Sequence, residues 1–262
     1  MPKFSQNFLR NGLIADGIVA ACNNLRCPCT VEIGPGKGFL TRRLLRSREG
    51  AFTAVEIDPE MFALLRREFR DDSGLKIINS DFLELDLDKA LPPGDILFVG
   101  NLPYAVGAPI LQRVLSFKGF KRAVFMFQKE VGDRLVSPPG GAEYGLLALS
   151  AQSRARVTRL MNVGRGSFSP PPKVESSVLV FERLSQPLFD SDAHERSFFR
   201  LVNGAFRHRR KTVVNSLVLS WGEERPALES KLTGAGVNPQ CRAQEIDLQT
   251  YLKLAKVFQP AP

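Results

Sequence analysis

Short apolar segments alternate with longer mixed segments along the first half of the chain. The sequence predicts buried strands at Val31–Ile33, Thr53–Ile57, Leu75–Ile78, Ile96–Val99 and Ala123–Phe127, with helices after most of them. Repeated alternation of strand and helix is typical of a doubly wound α/β fold with a parallel sheet. Ligands of such sheets bind beyond the carboxyl ends of the strands, so we expect functional residues there.

The pattern changes in the second half of the chain. Arg154–Asn162 and Val174–Arg183 predict a late pair of strands, which we expect to form an antiparallel hairpin at one edge of the sheet. After Leu184 a linker-like stretch leads into apolar residues at helical spacing. We therefore predict a Rossmann-like α/β domain over residues 1–185, including an irregular N-terminal arm over residues 1–12. Residues 186–262 are predicted to form a small helical domain.

A glycine-rich turn follows the first predicted strand. Residues 34–38 read Gly-Pro-Gly-Lys-Gly, and a helix is predicted directly after them. Glycines such as Gly34 and Gly36 allow the backbone to approach a ligand closely. The spacing is G-x-G-x-G and not the G-x-G-x-x-G of dinucleotide-binding turns. The turn favours a nucleotide-like ligand, with an ordinary strand-to-helix turn as the alternative.

Acidic residues end the second and third predicted strands. Glu56 is placed to accept hydrogen bonds from ribose hydroxyls, and Asp81 from an exocyclic adenine amine, with Phe82 beside the ring. Each carboxylate taken alone is better explained as a helix cap or a solvated strand end. Their order along the strands fits S-adenosylmethionine. A NAD enzyme would share only the glycine turn and Glu56.

The fourth predicted strand ends in Asn101-Leu102-Pro103-Tyr104. The Asn101 side chain offers an amide oxygen, and Leu102 offers a backbone carbonyl. Pro103 stiffens the turn and has no N–H, and Tyr104 supplies a flat aromatic face. Such a set of groups suits the exocyclic amine of a nucleobase.

Composition narrows the class of partner. The 262-residue chain carries a formal net charge of +9, and no apolar run approaches the length of a membrane span. We expect a cytoplasmic protein with a polyanionic partner.

Four Cys and two His are too scattered to predict a metal site. The densest basic run favours contact with RNA phosphates, with a solvated helix face as the alternative, through Arg207, Arg209, Arg210 and Lys211.

Several motifs in combination resemble the rRNA adenine N6-dimethyltransferases, most closely the bacterial small-subunit enzymes of the KsgA branch, with the macrolide-resistance Erm enzymes as cousins. They are Gln6-Asn7-Phe8-Leu9, the segment 31–38, Glu56-Ile57-Asp58, Asp81-Phe82, Asn101-Leu102-Pro103-Tyr104 and the segment 168–176. The resemblance implies a Rossmann-like class I methyltransferase domain that uses S-adenosylmethionine, with a small C-terminal helical domain that contacts RNA.

The resemblance also assigns roles to individual residues. It implies that Asn7 and Leu9 close the arm over the methionine end of the cofactor and that Asn101 touches both cofactor and target. It implies that Tyr104 and Phe168 hold the target base between them, with a core position at the base of the turn 170–172 as the alternative for Phe168. The other cofactor contacts that it implies are Gly34, Gly36, Glu56, Ile57, Asp81 and Phe82.

By resemblance, the substrate is a pair of adjacent adenosines near the 3′ end of small-subunit rRNA. We expect a monomer that acts on this RNA within a pre-ribosomal small subunit. An Erm-like enzyme of large-subunit rRNA is one alternative, and a non-catalytic ribosome-assembly factor is another. The chain departs from the family pattern at Ala105–Ala108, where small apolar residues replace polar ones beside the predicted target pocket.

Overall fold

The computed structural model describes residues 7–23, 27–47 and 50–259. The chain forms two compact units, of which one comprises Met1–Gly132 and Arg156–Arg183. The other comprises Asp133–Ala155 and Leu184–Pro262. The second unit therefore includes a segment, residues 133–155, that lies well before the boundary predicted from the sequence.

A seven-stranded sheet organises the first unit, in the order β4-β3-β2-β5-β6-β9-β7. The strands β2 to β6 pair in parallel, and β9 runs antiparallel to β6. In chain order the strands are β1 (Phe8–Leu9), β2 (Cys29–Ile33), β3 (Ala51–Glu56), β4 (Leu75–Asn79), β5 (Ile96–Asn101), β6 (Phe120–Gln128), β7 (Ala155–Val163), β8 (Phe168–Ser169) and β9 (Ser176–Arg183).

The helices of the first half begin after successive strands. α3 illustrates the local cause, because the Asp58 side chain accepts from the backbone of Glu60 and Pro59 occupies the first helical position. In chain order the helices are α1 (Gly12–Asn23), α2 (Thr41–Ser47), α3 (Pro59–Glu68), α4 (Leu87–Ala90), α5 (Gly107–Ser116), α6 (Lys129–Leu135), α7 (Leu146–Gln152), α8 (Asp192–Phe206), α9 (Val213–Trp221), α10 (Arg225–Gly234) and α11 (Leu248–Val257).

The sheet confirms the α/β class predicted from the sequence. All five predicted strands form, as β2 to β6, and the late pair lies side by side at one end of the sheet. The expectation of a wholly irregular arm is wrong for its described part. Phe8–Leu9 forms β1 and pairs antiparallel with β8, a contact that depends on residues far away in the sequence.

The central strands β2 and β5 approach each other closely at their carboxyl ends. A Cβ atom on Gly100 would lie 2.5 Å from the backbone oxygen of Ile33, so only glycine fits at this position. The strand order reverses between β2 and β5, because β3 and β4 follow on one side and β6 on the other. Such a switch point opens a crevice at the carboxyl edge of a parallel sheet.

The second unit is helical and has its own core. Buried apolar residues from α7 to α11 pack together, with Phe198 and Leu201 of α8 among the fully buried ones. A buried polar contact ties α8 to α11, since the Nε2 atom of His194 lies 2.9 Å from the carbonyl oxygen of Leu252. The helical character predicted for the C-terminal part of the chain is confirmed.

Candidate active site

The turn after β2 takes the backbone shape that its glycines permit. Gly34 and Gly36 have φ angles of 67° and 56°, which residues with a Cβ rarely adopt. The amide of Gly34 donates to the carbonyl of Val55 in β3, at 2.9 Å. A Cβ atom on Gly34 would meet no heavy atom within 4 Å, so open space adjoins the turn.

Glu56 ties this turn to the end of β3. One carboxylate oxygen accepts from the amide of Gly36 at 2.9 Å, and the other accepts from the amide of Asp58 at 2.8 Å. Burial raises the pKa of Glu56 above its ordinary value, and the backbone hydrogen bonds oppose that shift. A carboxylate oxygen has more than one lone pair, so both oxygens retain acceptor capacity for a ligand.

A second buried carboxyl, that of Glu32 in β2, lies close to Glu56. Burial is the main cause that raises the pKa of Glu32 to about 8, and the negative charge of Glu56 adds to it. An interaction with the Thr41 side chain opposes this shift in pKa, although neither Oε2 of Glu32 nor the Thr41 hydroxyl makes a hydrogen bond of normal geometry among the described residues. No role is predicted for Glu32 from the sequence, although an acidic residue within an otherwise apolar strand is a signal of a special environment.

The predicted adenine contacts lie at the ends of β3 and β4. Ile57 is 39% exposed beside Glu56, and one oxygen of Asp81 accepts from the amide of Leu83 at 2.8 Å. Phe82, by contrast, is buried and packs edge-on against Phe98 of β5, with ring centroids 6.2 Å apart. The contact predicted between Phe82 and the adenine ring therefore stays a prediction.

Asn79 fixes the end of β3 from the neighbouring strand. Its side-chain amide donates to the carbonyl of Glu56 at 2.8 Å. Asn79 cannot be identified from the sequence alone, because its partner is known only once β3 and β4 are paired in register. Asn79 thus helps to hold the backbone that carries Glu56 and Ile57.

At the end of β5, the side chain of Asn101 donates from Nδ2 to the carbonyl oxygen of Asn7, at 3.1 Å. A carbonyl can face only the NH₂ end of an amide, so this bond fixes the orientation of the Asn101 side chain. Leu102 is anchored by its own amide, which donates to the carbonyl of Met126 in β6 at 3.2 Å.

The described part of the arm runs across the glycine turn. The Phe8 ring lies so close that a Cβ atom on Gly36 would be 2.9 Å from it, and the ammonium of Lys37 lies 4.7 Å from the ring centroid. The arm is held by β1–β8 pairing and by a hydrogen bond of 2.8 Å from the Arg10 amide to the Ser167 carbonyl. Gln6, the first residue of the arm motif, lies outside the described residues.

Tyr104 and Phe168, the two rings predicted to hold the target base, are placed differently. Tyr104 is partly exposed, and its hydroxyl lies 3.2 Å from the hydroxyl of Ser176. Phe168 is fully buried in the core cluster that includes Leu9. The structure therefore presents no face of Phe168 to a base, and its predicted stacking role stays a prediction.

The basic run lies between α8 and α9 in the second unit. Arg207, Arg210 and Lys211 are exposed. Arg209 is exposed as well, but its guanidinium donates to the carbonyls of Ala142 and Tyr144, at 2.9 Å each. Arg209 therefore has a structural role within this unit beside the RNA contact predicted for it.

Metal-binding clusters and membrane-spanning helices are both absent from the described residues. No group of three or more His, Cys, Asp or Glu in the described ranges is arranged to hold a metal ion. Among the helices of the same ranges, none combines the length and apolar character needed to cross a bilayer.

The sheet order, the glycine turn after β2 and the acidic residue at the end of β3 are the arrangement of a Rossmann-like methyltransferase. A family model described as ribosomal RNA adenine dimethylase matches residues 1–260. The ribosomal RNA small subunit methyltransferase A of Syntrophotalea carbinolica is 39% identical over 98% of this chain and 96% of that protein. The chain belongs to the ribosomal RNA adenine dimethylase family.

Solved structures share the fold of this chain. The 23S rRNA methyltransferase ErmE is 27% identical, with a TM-score of 0.72 over 97% of this chain and 100% of that one. A dimethyladenosine transferase from Plasmodium falciparum shares the fold, with a TM-score of 0.79 at 24% identity over 94% of this chain and 95% of that one.

Proposed function

We propose that this enzyme transfers methyl groups from S-adenosylmethionine to N6 of two adjacent adenosines near the 3′ end of small-subunit rRNA, giving N6,N6-dimethyladenosine. The proposal is supported by family membership and by the 39% identity to a protein named for the small subunit. The single structural observation that carries the chemistry is the orientation of Asn101.

The Nδ2 atom of Asn101 is engaged by the Asn7 carbonyl, so its Oδ1 atom is directed to the other side of the amide. An oxygen fixed in this way is a ready acceptor for one hydrogen of an adenine N6 amine. The carbonyl of Leu102 is the acceptor that we assign to the other hydrogen. Its backbone is restrained by the hydrogen bond to Met126 and by the following Pro103.

Two acceptors on one amine change its reactivity. The lone pair of adenine N6 is delocalised into the ring, which makes the nitrogen a poor nucleophile. Hydrogen bonds from both N–H groups to fixed oxygens favour a tetrahedral nitrogen and direct its lone pair away from the ring. Positioning and a preorganised dipolar site then supply most of the catalysis. A strong general base is unnecessary, because the alkylated ammonium form is very acidic.

The residues at the crevice fit the cofactor. Gly34 leaves open space beside the turn, and Glu56 keeps acceptor capacity at both oxygens. When bound, S-adenosylmethionine supplies an electrophilic methyl group on its sulfonium. We assign its ribose hydroxyls to Glu56, its adenine amine to Asp81 and its methionine end to the arm. The remaining contacts that we propose are Asn7, Leu9, Gly36, Ile57, Phe82 and Asn101.

A target adenine must leave its stack to reach Asn101. The partly exposed ring of Tyr104 is the surface on which we place the flipped base. Stacking of a base on an aromatic side chain contributes about 1–3 kcal/mol. This energy offsets part of the cost of unstacking.

We propose that exposed cations of the second unit bind rRNA phosphates, chiefly Arg207, Arg210 and Lys211. Arg209 would contact RNA as well as the backbone carbonyls within its own unit to which it donates. The substrate that we propose is rRNA within a pre-ribosomal small subunit, bound by a monomer in the cytoplasm. The net charge of +9 supports a polyanionic partner of this kind.

A second candidate is methylation of large-subunit rRNA, which is favoured by the similarity to ErmE across the whole chain. To separate the two, transfer of labelled methyl groups is measured on immature small subunits and on protein-free large-subunit rRNA. Label in the small subunit alone supports the proposal, and label only in the large-subunit RNA supports the Erm-like reading. If neither RNA is labelled while small subunits still bind tightly, the chain is a non-catalytic assembly factor.

A further inference from the structure

The hydroxyl of Tyr104 meets the hydroxyl of Ser176 at 3.2 Å. Ser176 is the first residue of β9 and is fully buried. The backbone around Tyr104 is a loop between β5 and α5, in which the amide of Val106 donates to the carbonyl of Pro103. The contact with Ser176 therefore fixes the far end of a ring whose backbone lies in a loop.

The sheet explains why a serine of β9 reaches this point. Asn101 lies opposite Met126 in the parallel pair β5–β6, and Ser176 lies opposite Gln128 in the antiparallel pair β6–β9. An antiparallel strand begins at the edge where its parallel neighbours end. The residues of β6 that pair with Asn101 and Ser176 are therefore two positions apart, so Asn101 and Ser176 lie at the same edge of the sheet, where the hydroxyl of Ser176 reaches Tyr104.

We propose that Ser176 is a positioning residue, which holds the Tyr104 ring at the angle needed to stack the flipped adenine. This inference depends on the proposed function, because it assumes that Tyr104 receives the base. Without the hydroxyl of Ser176 the ring is free to turn about its two side-chain torsions. The adenine N6 atom would then reach the two acceptor oxygens less often.

The chain provides a matched control in the next residue. Ser177 is also fully buried, but its hydroxyl donates to Oδ1 of Asn162 in β7 at 2.8 Å. Successive residues of a strand face opposite sides of the sheet, so Ser177 does not contact Tyr104. Ser177→Ala removes the same atoms as Ser176→Ala from an equally buried position.

The test combines kinetics with a stacking signal. Methyl transfer to immature small subunits is measured for the wild type, Ser176→Ala, Ser177→Ala, Tyr104→Phe and the double variant Ser176→Ala/Tyr104→Phe. We expect Ser176→Ala to lower kcat/KM for RNA about threefold to tenfold, in line with loss of one neutral hydrogen bond. The cofactor Kd should not change, and Ser177→Ala should retain wild-type transfer.

The double variant distinguishes positioning from a general structural effect. In the Tyr104→Phe background the hydrogen bond is already absent, so Ser176→Ala should cause no further loss. An RNA with 2-aminopurine at the target position should show weaker quenching with Ser176→Ala than with the wild type or Ser177→Ala. Equal losses from Ser176→Ala in both backgrounds, or unchanged transfer and quenching, would overturn the inference alone. Absence of transfer by the wild type would overturn the proposed function and this inference with it.

Discussion

Glu56 joins the glycine turn to the end of β3 by accepting from the amides of Gly36 and Asp58 with its two oxygens. Each of the two oxygens of the Glu56 side chain must therefore be a hydrogen-bond acceptor. These contacts orient the carboxylate before any ligand binds. An oriented acceptor loses little freedom on binding, which favours affinity.

Glu56→Gln tests this point at the residue scale. The amide has only one oxygen, so its NH₂ group must face a backbone N–H that is left without an acceptor. We expect at least a tenfold rise in the Kd for S-adenosylmethionine by calorimetry. We also expect the free energy of unfolding to fall by about 1–3 kcal/mol. Glu60→Gln, an exposed change on α3, should alter neither quantity, and an unchanged Kd for Glu56→Gln would contradict its assigned role.

Glu32 makes stability depend on pH in a defined direction. Its pKa is about 8 in the folded chain against an ordinary value of 4.5, mainly because of burial. Between these values the unfolded chain has lost the proton that the folded chain retains. The free energy of unfolding therefore falls as pH rises through this window, by at most about 1.4 kcal/mol per pH unit for one group.

Glu32→Gln removes this titration while it keeps the size of the side chain. The free energy of unfolding of the variant, relative to the wild type, should rise steadily from pH 5 to pH 8 and then level off. Denaturant unfolding at several pH values provides the measurement. Parallel pH profiles for the two proteins would show that Glu32 titrates at its ordinary pKa.

At the scale of elements, the two-residue strands β1 and β8 connect the arm to the segment before β9. The pairing places Leu9 opposite Phe168, and both side chains belong to the core of the first unit. Asn7 directly precedes β1, so the same pairing places it beside Asn101. The carbonyl of Asn7 accepts from the side-chain amide of Asn101 and so orients it. The arm thus contributes both to the core and to the orientation of the reactive site.

Phe168→Ala measures the structural part of this arrangement. Because the ring is fully buried, its removal should lower the free energy of unfolding by about 3–5 kcal/mol. Leu13→Ala, an apolar truncation at a residue that is 83% exposed, should change it by less than about 0.5 kcal/mol. Denaturant titration of both variants makes the comparison. A loss for Phe168→Ala as small as that for Leu13→Ala would exclude a core role.

Elements formed by interactions between residues close in the sequence could be predicted, and those formed by contacts between distant residues could not. The strands β2 to β6 and the turn at Gly34 were predictable, because apolar runs and glycines are local signals. The pairing of Phe8–Leu9 with Phe168–Ser169 was not, since it depends on contacts between distant parts of the chain. The burial of Phe82 and the bond from Asn79 to Glu56 escaped prediction for the same reason, and a core position for Phe168 was predicted only as the alternative to base stacking.

At the scale of the whole molecule, the net charge of +9 favours the proposed association with RNA, and the number of phosphates contacted would set its salt dependence. Arg207, Arg210 and Lys211 are exposed between two helices of the second unit. Their positively charged side chains are therefore accessible for electrostatic interaction with RNA phosphates. Such contacts contribute affinity without selecting a sequence.

Replacement of Arg207, Arg210 and Lys211 by Ala should weaken binding to small-subunit rRNA. The slope of log K against log salt should become shallower by about 2–3, since each phosphate contact contributes about 0.7–0.9. Filter binding at several salt concentrations provides the slope. The matched control replaces three exposed Arg residues of α3 and the residues after it, Arg66, Arg67 and Arg70. Equal changes in slope for the two triple variants would contradict a specific RNA contact by the basic run.

The central claim is that Asn101, oriented by the carbonyl of Asn7, brings adenine N6 to the methyl donor. The most direct measurement is mass spectrometry of nuclease digests of small-subunit rRNA after reaction with the wild type and with Asn101→Ala. We predict two adjacent N6,N6-dimethyladenosines near the 3′ end with the wild type. We predict neither with Asn101→Ala at equal thermal stability. Unmethylated RNA with the wild type, or full dimethylation by Asn101→Ala, would contradict the account.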